Sequence, residues 1–233
     1  MTVRAVLFDF DGTLVETRNA SWTLFAETDR QFGLGIDTQQ KFFDIFEGNF
    51  FSTLATHCGD EALANAAAAH FMELIRTRYN PAFIPGMDSV LRELSASLRL
   101  TVLSSNKLET IQRILSGAGL ETLFDLILAS DIEPSKAVAI ENFLAAGDAR
   151  DARDGARVPY AAHDVVLVTD TVGDVAEGVA SGIKVIGVTW GMHSRERLRA
   201  AGAAQVAESP AQLLPWISHT HGASADQLED CRA

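Results

Sequence analysis

Asp9 and Asp11 stand two positions apart at the end of the apolar run Val6-Leu7-Phe8, and Gly12-Thr13 follows at once. Residues i and i+2 of a strand share a face. The two carboxylates are therefore expected close together, where the strand gives way to a loop that glycine permits. Carboxylates this close repel unless a cation lies between them or one keeps a proton. Three more polar clusters follow apolar runs: Ser104-Ser105-Asn106, Lys136 behind Pro134-Ser135, and Asp170-Thr171-Val172-Gly173-Asp174. With no histidine or thiolate among them, four carboxylates point to a hard, oxygen-preferring cation, Mg²⁺ first, rather than to zinc. A cation, a lysine, hydroxyls and loop N–H groups together suit a phosphate. One carboxylate can attack phosphorus to give an aspartyl phosphate, and a second can protonate the leaving oxygen and then deprotonate water. Taken singly, each cluster has a plainer reading as a turn, a solvated lysine or a helix cap. Their succession at strand ends is what points to phosphate-ester hydrolysis.

The elements that must position these residues are an α/β set. The stretch 2–10 reads as a buried strand, because its apolar residues run on continuously, as in a central parallel strand covered on both faces. Further strands are expected at 99–103, 124–128, 165–168 and 184–188, with an edge strand at 205–207. Helices alternate with them at 87–97, 109–116, from 136, after 174, at 196–201 and at 210–217. Such alternation implies a parallel sheet whose carboxyl edge gathers the strand-end residues. Between Thr17 and Tyr79 no strand-like run appears. Helices are expected there with Ser21 as a cap, over 38–56, and from Asp60, so this stretch is an all-helical insert, a lid above the carboxyl edge. Its phenylalanines read as a small core rather than a substrate wall, and His57 and His70 as packing or surface residues. Phe46, Asn49 and Phe50 are the candidates for substrate selection. The expected division is 1–16 with 85–218 for the core, 17–84 for the cap, and 219–233 as a loose tail containing His219 and His221. The stretch 147–164, poor in apolar residues, reads as a surface loop. Trp190, Gly191 and His193 follow a strand end and flank the site, with His193 structural rather than catalytic.

The chain has 233 residues and a net charge of −12, from 19 Lys and Arg against 31 Asp and Glu. That balance, without a basic patch, argues against nucleic acid as a partner. No run approaches membrane-spanning length, and Asp9 breaks the first apolar run too early for a signal peptide. Cys58 and Cys231 have no metal spacing and read as free thiols. A cytoplasmic protein acting on a small phosphorylated metabolite is the expectation, with oligomeric state left open.

These residues resemble the haloacid dehalogenase superfamily, in its phosphoglycolate phosphatase-like branch. Asp9-Phe10-Asp11-Gly12-Thr13 is similar to the first motif of that family, Ser105-Asn106 to the second, Lys136 to the third and Asp170 through Asp174 to the fourth. The resemblance implies a Rossmann-like core with a helical cap inserted between the first two motifs. It implies Asp9 as nucleophile and metal ligand, and Asp11 as acid and base with its carbonyl on the metal. Ser105 and Asn106, with the backbone around Gly12 and Thr13, would hold the phosphoryl group, and Lys136 would neutralise it. Asp170 would bind Mg²⁺, directly or through water, and Asp174 would complete the metal set in support of it. Two departures stand out: Thr169 where glycine is common, and Glu133-Pro134-Ser135-Lys136 in place of a Lys-Pro pair. Asp11 argues against carbon–halogen and carbon–phosphorus cleavage. A phosphomutase of the β-phosphoglucomutase type and a non-catalytic phosphate-binding module remain the alternatives.

Overall fold

The computed structural model describes residues 3–45, 50–133, 135–148 and 157–218. It divides into two compact units, one built from the chain up to Glu16 and from Ala82 onward, the other from Thr17–Pro81. The first unit holds a six-stranded sheet: β1 Ala5–Phe8, β2 Arg99–Leu103, β3 Leu126–Leu128, β4 Val165–Thr169, β5 Lys184–Val188 and β6 Gln205–Ala207. All pairs are parallel, in the order β3-β2-β1-β4-β5-β6. This is the Rossmann-like arrangement, and the direction of travel across the sheet reverses between β1 and β4. Open parallel sheets bind ligands at the carboxyl ends of the strands beside that reversal. Every residue of β1 and β4 is buried, as continuous apolar runs require in central strands.

The first strand is shorter than the expected 2–10. After Phe8 the pairing persists only through Asp9 N–H to the Val168 carbonyl (2.9 Å), and the chain then turns. Gly12 takes φ 78°, and its N–H reaches the Val15 carbonyl. Val15 bridges antiparallel to Phe83, the Glu16 N–H bonds the Ala82 carbonyl, and the Ile84 N–H bonds the Leu14 carbonyl. Residues 82–84 are thereby tied to the sheet unit, so the boundary falls at 81/82 rather than at 84/85.

In the inserted unit, α1 spans Thr17–Phe32, α2 Gln39–Ile45, α3 Phe50–Cys58 and α4 Glu61–Arg78. Ser21 is not the cap of α1. It lies one turn inside and donates to the Thr17 carbonyl (2.7 Å), the back-bonding open to serine within a helix. The expected 38–56 helix is seen as helical residues at Gln39–Ile45 and Phe50–Cys58, and 46–49, with the candidates Phe46 and Asn49, lie outside the described residues. Asp60 does cap α4, accepting from the Ala62 and Leu63 N–H groups. Phe25, Phe42 and Phe71 are buried and pack ring against ring, with centroids 4.6 Å (Phe25–Phe42) and 5.3 Å (Phe25–Phe71) apart. Phe50 leans on Phe71 at 5.6 Å. These rings are the unit's core. His57 donates to the Leu34 carbonyl, and His70 pairs with the Thr28 hydroxyl. Burial and the charge of Asp60 push the Cys58 thiol pKa up, which suits an inert thiol; Cys231, His219 and His221 lie outside the described residues.

In the sheet unit, α5 is Met87–Ser95, α6 Leu108–Gly117, α7 Lys136–Ala146, α8 Val172–Ala180, α9 Arg195–Ala200 and α10 Leu213–Ser218. Ile140 and Phe143 of α7, Val175 of α8 and Leu198 of α9 share one core with Leu7, Leu103, Leu167 and Val185. Side chains alternate along a strand, so Val6 and Phe8 face the other layer. The stretch 147–164 is more than a surface loop. Asp148 and Val158 exchange two backbone hydrogen bonds of 2.9 Å. Tyr160 is buried, stacks on Phe143 at 5.1 Å and donates to Asp148 Oδ2 (3.0 Å). One aromatic ring anchors a stretch whose composition hides it; residues 149–156 lie outside those described. No helix among the described residues is long and apolar enough to cross a membrane.

Candidate active site

Asp9 leaves the end of β1 buried in the sheet edge. Asp11 sits two residues on, already in the turn, so the two do not share a strand face. Each has its own partner. Asp9 Oδ1 accepts from Lys136 Nζ (2.8 Å), whereas Asp11 Oδ2 accepts from Asn106 Nδ2 (3.3 Å). The turn thus gives the two carboxyls different contacts, Lys136 for Asp9 and Asn106 for Asp11.

Lys136 is the first residue of α7, placed there by Ser135, whose hydroxyl accepts from the Val138 N–H. Its ammonium bridges Asp9 and Asp174 Oδ2 (2.6 Å). Asp174 lies in the first turn of α8, where Thr171 is the cap and accepts the Asp174 N–H. Its Oδ2 also accepts from the buried Thr169 hydroxyl (2.9 Å). Burial alone would pull the Lys136 pKa down. The charges of Asp9 and Asp174, with hydrogen bonds to both, outweigh it and hold the group above the usual lysine range. Burial pushes Asp9 well above the usual carboxylate range; Lys136 opposes the shift, and the charges of Asp174 and Asp170 add to it.

Asp170 occupies a cradle built from two loops. Its Oδ1 accepts from Thr13 Oγ1 (3.2 Å) and its Oδ2 from the Met192 N–H (2.7 Å). The His193 N–H donates to its carbonyl. A Cβ on Gly12 would fall 2.3 Å from Asp170 Oδ2, and one on Gly191 would fall 2.2 Å from its Cβ. Two glycines therefore flank this carboxylate because no side chain fits. Trp190 Nε1 donates to the Thr13 carbonyl (3.0 Å), tying the loop after β5 to the loop after β1. His193 Nδ1 accepts the first N–H of α8, at Val172 (3.1 Å), a structural duty. Met192 carried no signal in the sequence, since its contribution is a backbone N–H that any residue supplies.

The loop after β2 is braced from within and from β3. Ser104 Oγ accepts the Asn106 N–H, and the Asn106 carbonyl accepts the Ser130 N–H. Asp131 Oδ1 accepts the Leu108 N–H at the start of α6. Ser105 is exposed on this loop and Asn106 half-buried. The structure thus gathers Asp9, Lys136 and Asp174 in one cluster, joins Asp11 to Asn106, and links Gly12 and Thr13 to Asp170.

The donor set fits a hard cation. The Asp9 and Asp170 carboxyl groups are both buried; burial raises the Asp170 pKa even against the Met192 N–H, and the charge of Asp170 adds to the rise at Asp9. Two carboxyls so placed hold either a shared proton or a cation. Among the described residues no three His, Cys, Asp or Glu side chains form a ready metal cage. Mg²⁺ typically takes one or two carboxylates and completes its shell with water and substrate phosphate.

A parallel α/β sheet with this acid and lysine cluster at its strand reversal defines a Rossmann-like enzyme core. The chain belongs to the haloacid dehalogenase-like hydrolase family, whose model matches residues 6–188. It is 28% identical over 222 residues to a phosphoglycolate phosphatase of Synechococcus elongatus, covering 93% of this chain and 98% of that one. It is 23% identical over 205 residues to the pyrophosphatase PpaX of Bacillus pumilus, covering 84% and 88%. A haloacid dehalogenase-like protein of Streptococcus pneumoniae has the same fold, with a TM-score of 0.78 at 22% identity over 93% of this chain and 99% of that one.

Proposed function

We propose that this protein is a Mg²⁺-dependent phosphatase that hydrolyses a small phosphomonoester, phosphoglycolate-like in size and charge, through an aspartyl phosphate. The observation that carries the reading is the division of partners at the first motif: Asp9 on the Lys136 ammonium, Asp11 on Asn106. A nucleophile and a proton carrier two residues apart need such unlike surroundings. The name of the cyanobacterial relative supports the substrate class.

In this reading an Asp9 carboxylate oxygen forms a bond to phosphorus as the ester P–O bond breaks. Asp11 gives its proton to the leaving oxygen. Water then attacks the aspartyl phosphate, Asp11 takes the proton back, and inorganic phosphate leaves with Asp9 restored. Lys136 neutralises charge on the phosphoryl oxygens. Ser105, Asn106 and the N–H groups around Gly12 and Thr13 hold them. Asp9, Asp170 and the Asp11 carbonyl would hold Mg²⁺, which when bound offsets repulsion between carboxylate and phosphate. Asp174, whose Oδ2 is taken by Lys136 and Thr169, orients the lysine rather than serving as a ligand. The helical insert is assigned the choice of substrate.

The test is phosphate release from 2-phosphoglycolate and p-nitrophenyl phosphate. Activity is expected with Mg²⁺, lost on thorough chelation and lost in Asp9→Asn. An Asp9→Asn protein turning over at the wild-type rate overturns the nucleophile, and full activity after chelation overturns the metal requirement. Isomerisation of a sugar phosphate without phosphate release would make the protein a mutase.

A further inference from the structure

We infer that Thr169 is a positioning residue for Lys136, acting through Asp174; this rests on the phosphatase reading above. Thr169 is the last residue of β4 and is fully buried. Its hydroxyl donates to Asp174 Oδ2 (2.9 Å) and accepts the Thr171 N–H (3.3 Å), so its rotor is held from both sides. The same Asp174 oxygen accepts Lys136 Nζ at 2.6 Å, and that ammonium reaches Asp9 Oδ1 at 2.8 Å. A chain of hydrogen bonds thus runs from hydroxyl to carboxylate to ammonium to nucleophile.

The geometry makes the hydroxyl useful. Asp174 sits on a helix and Lys136 on a different one, and a carboxylate anchored only by its own side-chain torsions can swing with the flexible lysine. A second donor on the same oxygen, from the rigid central strand, fixes where Oδ2 stands and hence where the ammonium stands. A side chain without a hydroxyl at this position would supply no such donor. The plain alternative is that Thr169 only fills space at the strand end and steadies the start of α8.

Thr169→Val keeps the shape and removes the hydroxyl, while Thr169→Ser keeps the hydroxyl. Two measurements separate the roles: steady-state kinetics with p-nitrophenyl phosphate, and hydrogen exchange of the Lys136 side-chain ammonium followed by NMR in ¹⁵N-lysine-labelled protein. Thr169→Val is expected to lower kcat about tenfold, the order expected for one hydrogen bond to a charged group, with KM changed less than twofold. Its Lys136 ammonium protons are expected to exchange several-fold faster. Thr169→Ser is expected to restore both to within about twofold of wild type. A Lys136 exchange rate in Thr169→Val equal to that of wild type overturns the inference, as does a Ser variant that fails alongside Val. If the wild type hydrolyses no phosphate ester, the phosphatase reading fails, and the exchange comparison still decides the link from Thr169 to Lys136.

Discussion

Thr13 and Asp170, 157 positions apart, are joined by a 3.2 Å hydrogen bond from hydroxyl to carboxylate. With the Met192 N–H on the other oxygen, the plane of the Asp170 carboxylate is fixed from two loops. Thr13 is itself held through its carbonyl by the Trp190 ring N–H. Trp190→Phe keeps an aromatic ring and removes that donor. The expected result is an apparent Mg²⁺ affinity weaker by roughly three- to tenfold, matching about 1 kcal/mol for one neutral hydrogen bond, with the melting temperature little changed. Calorimetric titration of Mg²⁺ into metal-free protein measures it. An unaltered affinity would show that the Trp190 contact does not reach Asp170.

Gly191 and Gly173 make a matched pair. A methyl at Gly191 would fall 2.2 Å from Asp170 Cβ and Oδ2, whereas nothing lies within 4 Å of one at Gly173 on α8. Overpacking a tight site costs roughly 1–3 kcal/mol. Replacing a helical glycine in open space by alanine gains roughly 0.5–1 kcal/mol. Gly191→Ala is therefore expected to lower stability to urea and cut phosphatase turnover at least tenfold. Gly173→Ala should be as stable as wild type or more so. Similar unfolding midpoints for the two variants would contradict the cradle.

Much of this fold can be read from the chain, because its central strands are continuous apolar runs ending in polar clusters, and runs such as Arg99–Leu103 and Lys184–Val188 coincide with strands. Residue types likewise mark Asp9, Asp11, Lys136, Asp170 and Asp174 as chemically unusual. What local sequence cannot show is who holds whom. Asp131 receives the first N–H of α6 from 23 residues away, and Asp174 is engaged by Lys136 and Thr169. Ser21 has the right type for a cap, yet the helix begins a turn earlier. The return of the insert at Ala82 depends on pairing with Glu16, a contact that no propensity encodes.

Lys136 is the cation of a buried cluster, so its removal should show a definite pH dependence. The folded-state pKa of Asp9 lies above the unfolded value, mainly through burial. The native state therefore binds more protons than the unfolded one, and stability falls as pH rises through that window. Lys136 opposes this by favouring the ionised carboxylate. Breaking a buried pair by deleting one partner typically costs about 3–5 kcal/mol. Lys136→Met is expected to be destabilised most at pH 8 and to approach the wild type as pH falls toward 4. Urea unfolding of both metal-free proteins across that range tests it, and a gap independent of pH would count against the cluster.

Tyr160 offers a test at the opposite end of the pH scale. Burial, and then its hydrogen bond to Asp148, push its pKa up to about 12. Between the ordinary tyrosine value, near 10, and about 12, the folded state keeps a proton that the unfolded state has lost. The sign follows: the tyrosine's contribution is fully present below about pH 10 and is lost as pH rises toward 12. Tyr160→Phe should remove this part of the alkaline slope of stability while leaving the acid side alone, apart from a uniform loss for the Asp148 hydrogen bond. The difference in ultraviolet absorbance at alkaline pH between wild type and variant reports the same ionisation directly. A tyrosinate signal near pH 10 that is present in the native wild type and missing from Tyr160→Phe would mean that the 3.0 Å contact with Asp148 does not protect the phenol.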